Sequence, residues 1–163
     1  MSRLRIIASI ATAGVALLVM SGCESQMFEG PLSLKSTGSG LEVGVCVAVE
    51  VAKVDGALRR PGFLYRPWET IWDETTDEHH EVAAGEVIGP GILDGSSADD
   101  VEVASIAPGD ELDITLTSPD GTVVSAVFTV PESGVPETGW LAPDGSITRG
   151  VCDSWNDRTQ ENG

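Results

Sequence analysis

Apolar and polar residues alternate with a period of two through the middle of the chain. In LEVGVCVAVEVAKV, residues 41–54, the branched apolar side chains occupy odd-numbered positions. That period is typical of a β-strand with one apolar face, and it leaves Cys46 on the other face. Gly44 and Ala48 flank Cys46 there with almost no side chain. We therefore predict that a later segment of the chain packs closely over this face.

Two later segments show the same alternation on both sides of a turn. In ELDITLTSPDGTVVSAVFTV, residues 111–130, two alternating runs flank a Pro-Asp-Gly sequence. Pro favours a type I turn there, and Gly accepts a positive φ. TGWLAPDGSITRG, residues 138–150, contains the same turn residues, so both segments are predicted to form β-hairpins. PLSLK, residues 31–35, is predicted to be an edge strand, and DETTDEHHE, residues 73–81, a polar loop.

No segment after the first 22 residues shows a period of 3.6 over ten or more positions. Short alternating runs separated by Gly and Pro are typical of antiparallel sandwiches and barrels. We predict an all-β fold, a small antiparallel β-sandwich of about seven strands with immunoglobulin-like architecture. It is expected to span residues 41–155, followed by a frayed tail at 156–163.

The first 22 residues have the pattern of an export signal. Arg3 and Arg5 precede an apolar run at residues 6–20, and small residues follow. The run is shorter than the roughly 20 residues that a membrane-spanning helix needs, which disfavours a single spanning anchor. We predict a lipoprotein signal peptide at residues 1–22. The other alternative is an ordinary secretory signal followed by a free cysteine.

MSGC, residues 20–23, resembles the lipobox of bacterial lipoproteins, although Met20 replaces the more usual Leu. The resemblance implies cleavage before Cys23, a diacylglyceryl group on its thiol, and a tether at residues 23–40. Two acyl chains anchor a protein stably where one is marginal. The resemblance therefore places the domain at the extracytoplasmic face of the cell membrane.

Cys46 and Cys152 remain if Cys23 carries lipid. A pair of cysteines in an exported domain favours a disulfide. The bridge would hold the segment around Cys152 over the small-residue face beside Cys46. Two buried free thiols are the alternative. The spacing does not match the inter-sheet bridge of antibody domains, because Cys152 lies beyond the last strong strand.

The net charge of −17 becomes −19 without the first 22 residues, which hold two arginines and no carboxylate. Binding to nucleic acid requires Lys and Arg that neutralise phosphates, and electrostatic adsorption to anionic lipid requires basic clusters. The charge excludes both kinds of binding, so lipid rather than charge would hold the domain at a membrane. The apolar content of 41% predicts a folded core rather than disorder.

Both histidines lie in the polar segment 73–81, beside several carboxylates. Zinc takes His nitrogen and carboxylate oxygen, and calcium takes six to eight oxygens. The candidate metal ligands are Asp77, His79, His80 and Glu81. Neighbouring residues on a strand point to opposite faces, so their convergence requires a bent loop. A solvated acidic loop is the alternative.

FLYRPWETIW, residues 63–72, combines aromatic residues with nearby arginines. Trp and Arg are enriched among the residues that carry binding energy in protein interfaces. We predict that Arg66, Trp68 and Trp72 contact a partner, either an envelope protein or a cell-wall glycan. The alternative is that the aromatic residues belong to the core.

The sequence contains no GxSxG, SxxK, HExxH, CxxC or nucleotide-binding glycine pattern, and we expect no enzymatic activity. The lipobox, the strand LEVGVC, and ETGWLAPDGSITR before a late cysteine make the chain similar to small bacterial lipoproteins of actinobacterial type. That group brings no known activity with it. The expected function is a membrane-anchored binding or accessory module with no cofactor beyond the lipid. The alternative is a metal-binding lipoprotein that uses residues 73–81.

Overall fold

Two antiparallel sheets face each other in the structure, a computed structural model that describes residues 30–37, 40–62, 66–93 and 105–161. The five-stranded sheet has the order β5-β2-β1-β8-β9, and the four-stranded sheet has the order β4-β3-β6-β7. The predicted all-β sandwich is confirmed, with nine strands in the described ranges instead of about seven. The elements are β1 (Leu32–Ser36), β2 (Leu41–Val45), β3 (Val49–Arg59), β4 (Glu69–Val82), β5 (Glu86–Ile88), β6 (Glu111–Thr117), β7 (Val123–Thr129), β8 (Trp140–Leu141), β9 (Ile147–Thr148) and α1 (Asp153–Glu161).

The core lies between the sheets and consists of apolar side chains that alternate along each strand. β6 buries Leu112, Ile114 and Leu116 and turns its polar residues outward, which is the pattern that predicted a strand. β6 and β7 pair along their whole length, and β8 pairs with β9, so both hairpin predictions are confirmed. Gly121 and Gly145 in the two turns have φ of 85° and 84°, a conformation that favours glycine.

The alternating run at residues 41–54 is not one strand. β2 ends at Val45, and β3 begins at Val49 in the opposite sheet, so the chain crosses between the sheets in the three intervening residues. The register of β3 shifts between Val51 and Lys53, and the buried residues then fall on even positions. Periodicity predicted the element type correctly. It could not show the crossing, because the alternation continues through it.

Two predictions about the ends of the domain are wrong. PLSLK is not an edge strand, because β1 pairs with β2 on one side and with β8 on the other. The sandwich therefore includes part of the predicted tether at 23–40. The predicted frayed tail at 156–163 is helical as far as Glu161, although α1 buries no residue. The signal peptide and Cys23 lie outside the described residues.

A disulfide joins Cys46 to Cys152 with a Cα–Cα distance of 5.4 Å, as predicted. The C-terminal segment packs over the outer face of β2, where a side chain at Gly44 would collide with Val151. The predicted close packing beside Cys46 is therefore confirmed. It does not extend to Ala48, which is exposed.

Candidate functional site

An arginine and a tryptophan stack at one end of the four-stranded sheet, where β3 ends and β4 begins. The Arg59 guanidinium lies 4.5 Å from the centre of the Trp68 ring, within the range of a cation–π interaction. Arg59 Nε also donates to Glu111 Oε2 on β6. The carboxylate and the ring together fix the position of the guanidinium. Trp68 stays half-buried and keeps part of its surface available for contact.

Two further arginines lie within two residues of this pair in sequence. Arg60 Nη1 donates to the Ser105 carbonyl oxygen at 3.3 Å and lies 3.5 Å from Oδ2 of the buried Asp110. Arg66 is exposed. We call Arg59, Arg60, Arg66 and Trp68 the Arg–Trp surface. Two of its arginines are held against carboxylates, and Arg66 presents its charge to solvent.

Trp72 does not belong to this surface. Its side chain is only 1% exposed, and its indole Nε1 donates to Glu74 Oε1 at 2.8 Å inside the core. The prediction that Trp72 contacts a partner is wrong, because β4 turns this residue inward with Glu74, two positions along the strand. The structure instead places Arg59 in contact with Trp68. The sequence offered only their shared neighbourhood as a signal for this pairing.

Glu74 is a fully buried carboxylate with three hydrogen-bond donors. Trp72 Nε1 and the Gly91 amide donate to Oε1, and the Leu93 amide donates to Oε2 at 3.1 Å. Glu74 thus ties the segment after β5 to β4 in the opposite sheet. Nothing in the sequence distinguished it from the other carboxylates of residues 73–81, and sequence reasoning missed it.

The candidate metal ligands lie on β4, not on a separate loop. Val51 of β3 is opposite His80, whereas Lys53 is opposite Thr75, so three extra residues of β4 bulge out between these pairs. The prediction of a polar loop at residues 73–81 is wrong, because these residues belong to β4. The centre of the segment nevertheless departs from regular pairing with β3. The Glu78 amide donates to Thr76 Oγ1 at 3.1 Å within the bulge.

The bulge borders a cavity of about 550 Å³. Its lining includes Asp77, His79 and His80 of β4 and Ile92 and Leu93 of the segment after β5. The structure therefore brings both histidines and Asp77 to one cavity.

Glu81 is directed elsewhere. It lies opposite Glu50, and because neighbouring residues of a strand point to opposite faces, Glu81 and His80 lie on different faces of the sheet. In the part of the chain that the structure describes, no three or more His, Cys, Asp or Glu residues are grouped so that they could hold a metal ion.

Carboxylates dominate the outer face of the four-stranded sheet. Asp55 lies directly opposite Asp73, a pairing of like charges that destabilises a sheet. Lys53 donates to Asp55, and this hydrogen bond raises the pKa of Lys53. Partial burial raises the pKa of Asp113, and the charge of Asp55 adds to this effect against the hydrogen bond from Thr115. Lys53 offsets only part of this charge, and cations or basic partners would reduce the remainder.

Among the described residues, no helix has the length and apolar character needed to cross a bilayer. Comparison with known proteins finds no matching family model, no matching curated protein and no matching solved structure.

Proposed function

We propose that this chain is a lipid-anchored, extracytoplasmic lipoprotein that works as a binding or accessory module without enzymatic activity. Its partner is an envelope protein or a cell-wall component. The Arg–Trp surface supplies the contact. The observation that carries the proposal is the partly exposed Arg59–Trp68 stack, with the exposed Arg66 two residues before Trp68 in the chain.

Charge distribution supports this assignment. Residues 23–163 contain seven basic residues, and three of them lie on the Arg–Trp surface. Arg59 is already fixed by Glu111 and Trp68, so little side-chain freedom remains to be lost on binding. A flat ring with one fixed guanidinium and one exposed guanidinium suits a partner that offers both a ring or sugar face and an anionic group.

The anchor is supported by the sequence MSGC and by the domain's own charge. A domain with a net charge of −19 is repelled by anionic lipid, so it needs a hydrophobic attachment to remain at a membrane. The diacylglyceryl group on Cys23 provides about 0.8 kcal/mol for each buried CH₂. The tether that follows would keep the domain within reach of envelope partners.

The test compares two Arg–Trp pairs of the same chain. Arg158 lies 5.7 Å from the centre of the Trp155 ring on α1 and provides a matched control. Native mass spectrometry of the protein extracted in mild detergent should show residues 23–163, a diacylglyceryl group and a bound partner. Arg66→Ala/Trp68→Ala should remove the partner mass, and Trp155→Ala/Arg158→Ala should retain it.

Circular dichroism establishes that both double variants are folded. A partner retained equally by both variants would contradict the assignment of the site. An unlipidated chain would contradict the anchor.

A further inference from the structure

The two edges of the four-stranded sheet differ sharply in charge. β4 forms one edge and contains six carboxylates in 14 residues: Glu69, Asp73, Glu74, Asp77, Glu78 and Glu81. β7 forms the other edge, and its sequence VVSAVFT contains no charged residue. Asp120 and Glu132 lie beyond its two ends. All of the β4 carboxylates except the buried Glu74 are exposed, so the β4 edge repels an anionic surface, whereas the β7 edge does so only near its ends.

Along its outer side, β7 has backbone groups that no strand among the described residues pairs with. Backbone hydrogen bonds join Ser118 to Thr122 at one end of the β6–β7 hairpin and Asp110 to Val130 at the other. Hydrogen-bonded pairs alternate along an antiparallel ladder, so the residues of β7 that bond to β6 are the even-numbered ones. The odd-numbered residues 123–129 therefore direct their N–H and C=O groups away from β6. Within the described residues, no strand pairs with this side of β7.

Gly30, the first of the described residues, lies at this same edge. Gly30 is buried, and a Cβ atom placed on it would collide with the backbone carbonyl of Ser125 in the middle of β7. Gly30 follows Cys23 by seven residues, a span of at most about 25 Å even for a fully extended chain. Lipid on Cys23 would therefore hold the middle of β7 within about 25 Å of the bilayer surface.

We propose that the β7 edge faces the lipid headgroups and that the β4 edge points away from the membrane. This orientation rests on the proposed lipid anchor. Three strand spacings of about 4.8 Å place β4 about 14 Å beyond β7. That distance exceeds the Debye length of about 8 Å at physiological salt, so the carboxylates of β4 would lie outside the repulsive range of anionic lipid.

Two exposed positions in one row of the sheet test the orientation. Val123 on β7 and Thr75 on β4 are joined across the sheet by Thr117 and Lys53, and Val123 is 55% exposed. Val123→Cys and Thr75→Cys are each labelled with a fluorophore in the lipidated full chain. Intact mass shows that the lipid and the native disulfide are present. The chains are placed in vesicles of equal parts phosphatidylglycerol and phosphatidylcholine that contain a headgroup-attached quencher.

Quenching should be about twofold or more stronger at position 123 than at position 75, since the rows lie about 14 Å apart. Equal quenching, or stronger quenching at position 75, overturns the orientation. A chain that lacks the diacylglyceryl group overturns the anchor and the orientation with it, so the two failures are distinguishable by mass.

A charge introduced at the edge provides the second test. Thr129 on β7 and Thr70 on β4 are both exposed. Thr129→Glu should weaken the quenching at position 123 in anionic vesicles and leave it unchanged in vesicles of phosphatidylcholine alone. Thr70→Glu should have no effect in either. Equal effects of the two substitutions would overturn the proposal.

Discussion

Each of the two sheets has a neighbouring segment fastened to it, which we call its closure, and the two closures use different chemistry. At the five-stranded sheet, a disulfide holds the C-terminal segment, and at the four-stranded sheet, the carboxylate of Glu74 holds the segment after β5. Both closures fix a stretch without regular strands against a buried surface. They differ in what maintains them, because one is a covalent bond and the other is a set of hydrogen bonds to a buried carboxylate.

The covalent closure acts over a long separation. Cys46 and Cys152 are 106 residues apart in sequence, so the bond removes a large amount of conformational freedom from the unfolded chain. The polar closure acts in the folded state only. Glu74 has three N–H partners, and two of them, Trp72 Nε1 and the Leu93 amide, belong to buried residues and would lose this acceptor inside the core. The first closure is lost by reduction, and the second by any change that removes an acceptor.

Removal of the disulfide should have the largest effect. We expect Cys46→Ala/Cys152→Ala to lower the free energy of unfolding by about 2–5 kcal/mol, because the unfolded chain regains its freedom. Urea denaturation of residues 30–163, followed by tryptophan fluorescence, measures the change. Reduction of the unmodified chain should give the same midpoint as the variant. A loss below about 1 kcal/mol would show that packing alone holds the C-terminal segment.

Substitution of Glu74 should have the next largest effect. Glu74→Gln conserves the shape but replaces one acceptor oxygen with an NH₂ group that faces backbone donors. We expect a loss of about 1–3 kcal/mol. Hydrogen exchange should show lost protection at the Gly91 and Leu93 amides. Glu78→Gln on the same strand is the exposed control, with a change within about 0.5 kcal/mol. Equal effects would mean that Glu74 does not hold this segment.

The contrast between the closures explains which of them could be predicted. The common structural use of cysteine in an exported domain is the disulfide, and only two cysteines remain once the candidate lipid site Cys23 is set aside. Gly44 beside Cys46 also indicated close packing. Glu74 shares its chemistry with most of its neighbours in DETTDEHHE. The burial of Glu74 depends on which face of β4 turns inward. The alternation of apolar and polar residues does not show this face, because the inward residue Glu74 is itself polar.

The same limit applies to the candidate site. Local composition marked residues 63–72 as aromatic and basic but could not separate the buried Trp72 from the half-buried Trp68, since both tryptophans lie in one short segment. The decision between core and surface is made by pairing with β3, which is distant in sequence. The hairpins were predictable because their turn and their pairing are both local.

A smaller effect should show whether the covalent closure depends on the packing beneath it. Gly44→Ala places a methyl group against Val151 and Ser33, and we expect a loss of about 1–3 kcal/mol. Gly40→Ala is the control, since only Pro90 lies near that position, at 3.9 Å. In the Cys46→Ala/Cys152→Ala background the loss should be smaller, because Val151 is then free to move. A loss that is identical in both backgrounds would show that the bridge and the packing are independent.

The smallest effect concerns a polar contact beside the disulfide. Asp144 and Asp120 occupy the same position in the two Pro-Asp-Gly turns, and each accepts a hydrogen bond from the amide two residues later. Only Asp144 also accepts a bond from Ser154 of α1, at 3.2 Å. Burial raises the pKa of Asp144, but the hydrogen bonds from Ser146 and Ser154 and the charge of Arg158 outweigh it and lower the pKa.

A lowered carboxyl pKa contributes stability above the ordinary pKa near 4, and that stability is lost as the pH falls through the folded-state value. Asp144→Ala should therefore destabilise the chain at pH 7 by at most about 1 kcal/mol, a figure reduced by solvent screening. It should also increase amide exchange in α1, and the stability loss should vanish well below pH 4. Asp120→Ala tests the turn alone and should leave α1 unchanged. If both variants increase exchange in α1 equally, general destabilisation explains the effect, and the bond from Ser154 to Asp144 does not specifically support the helix.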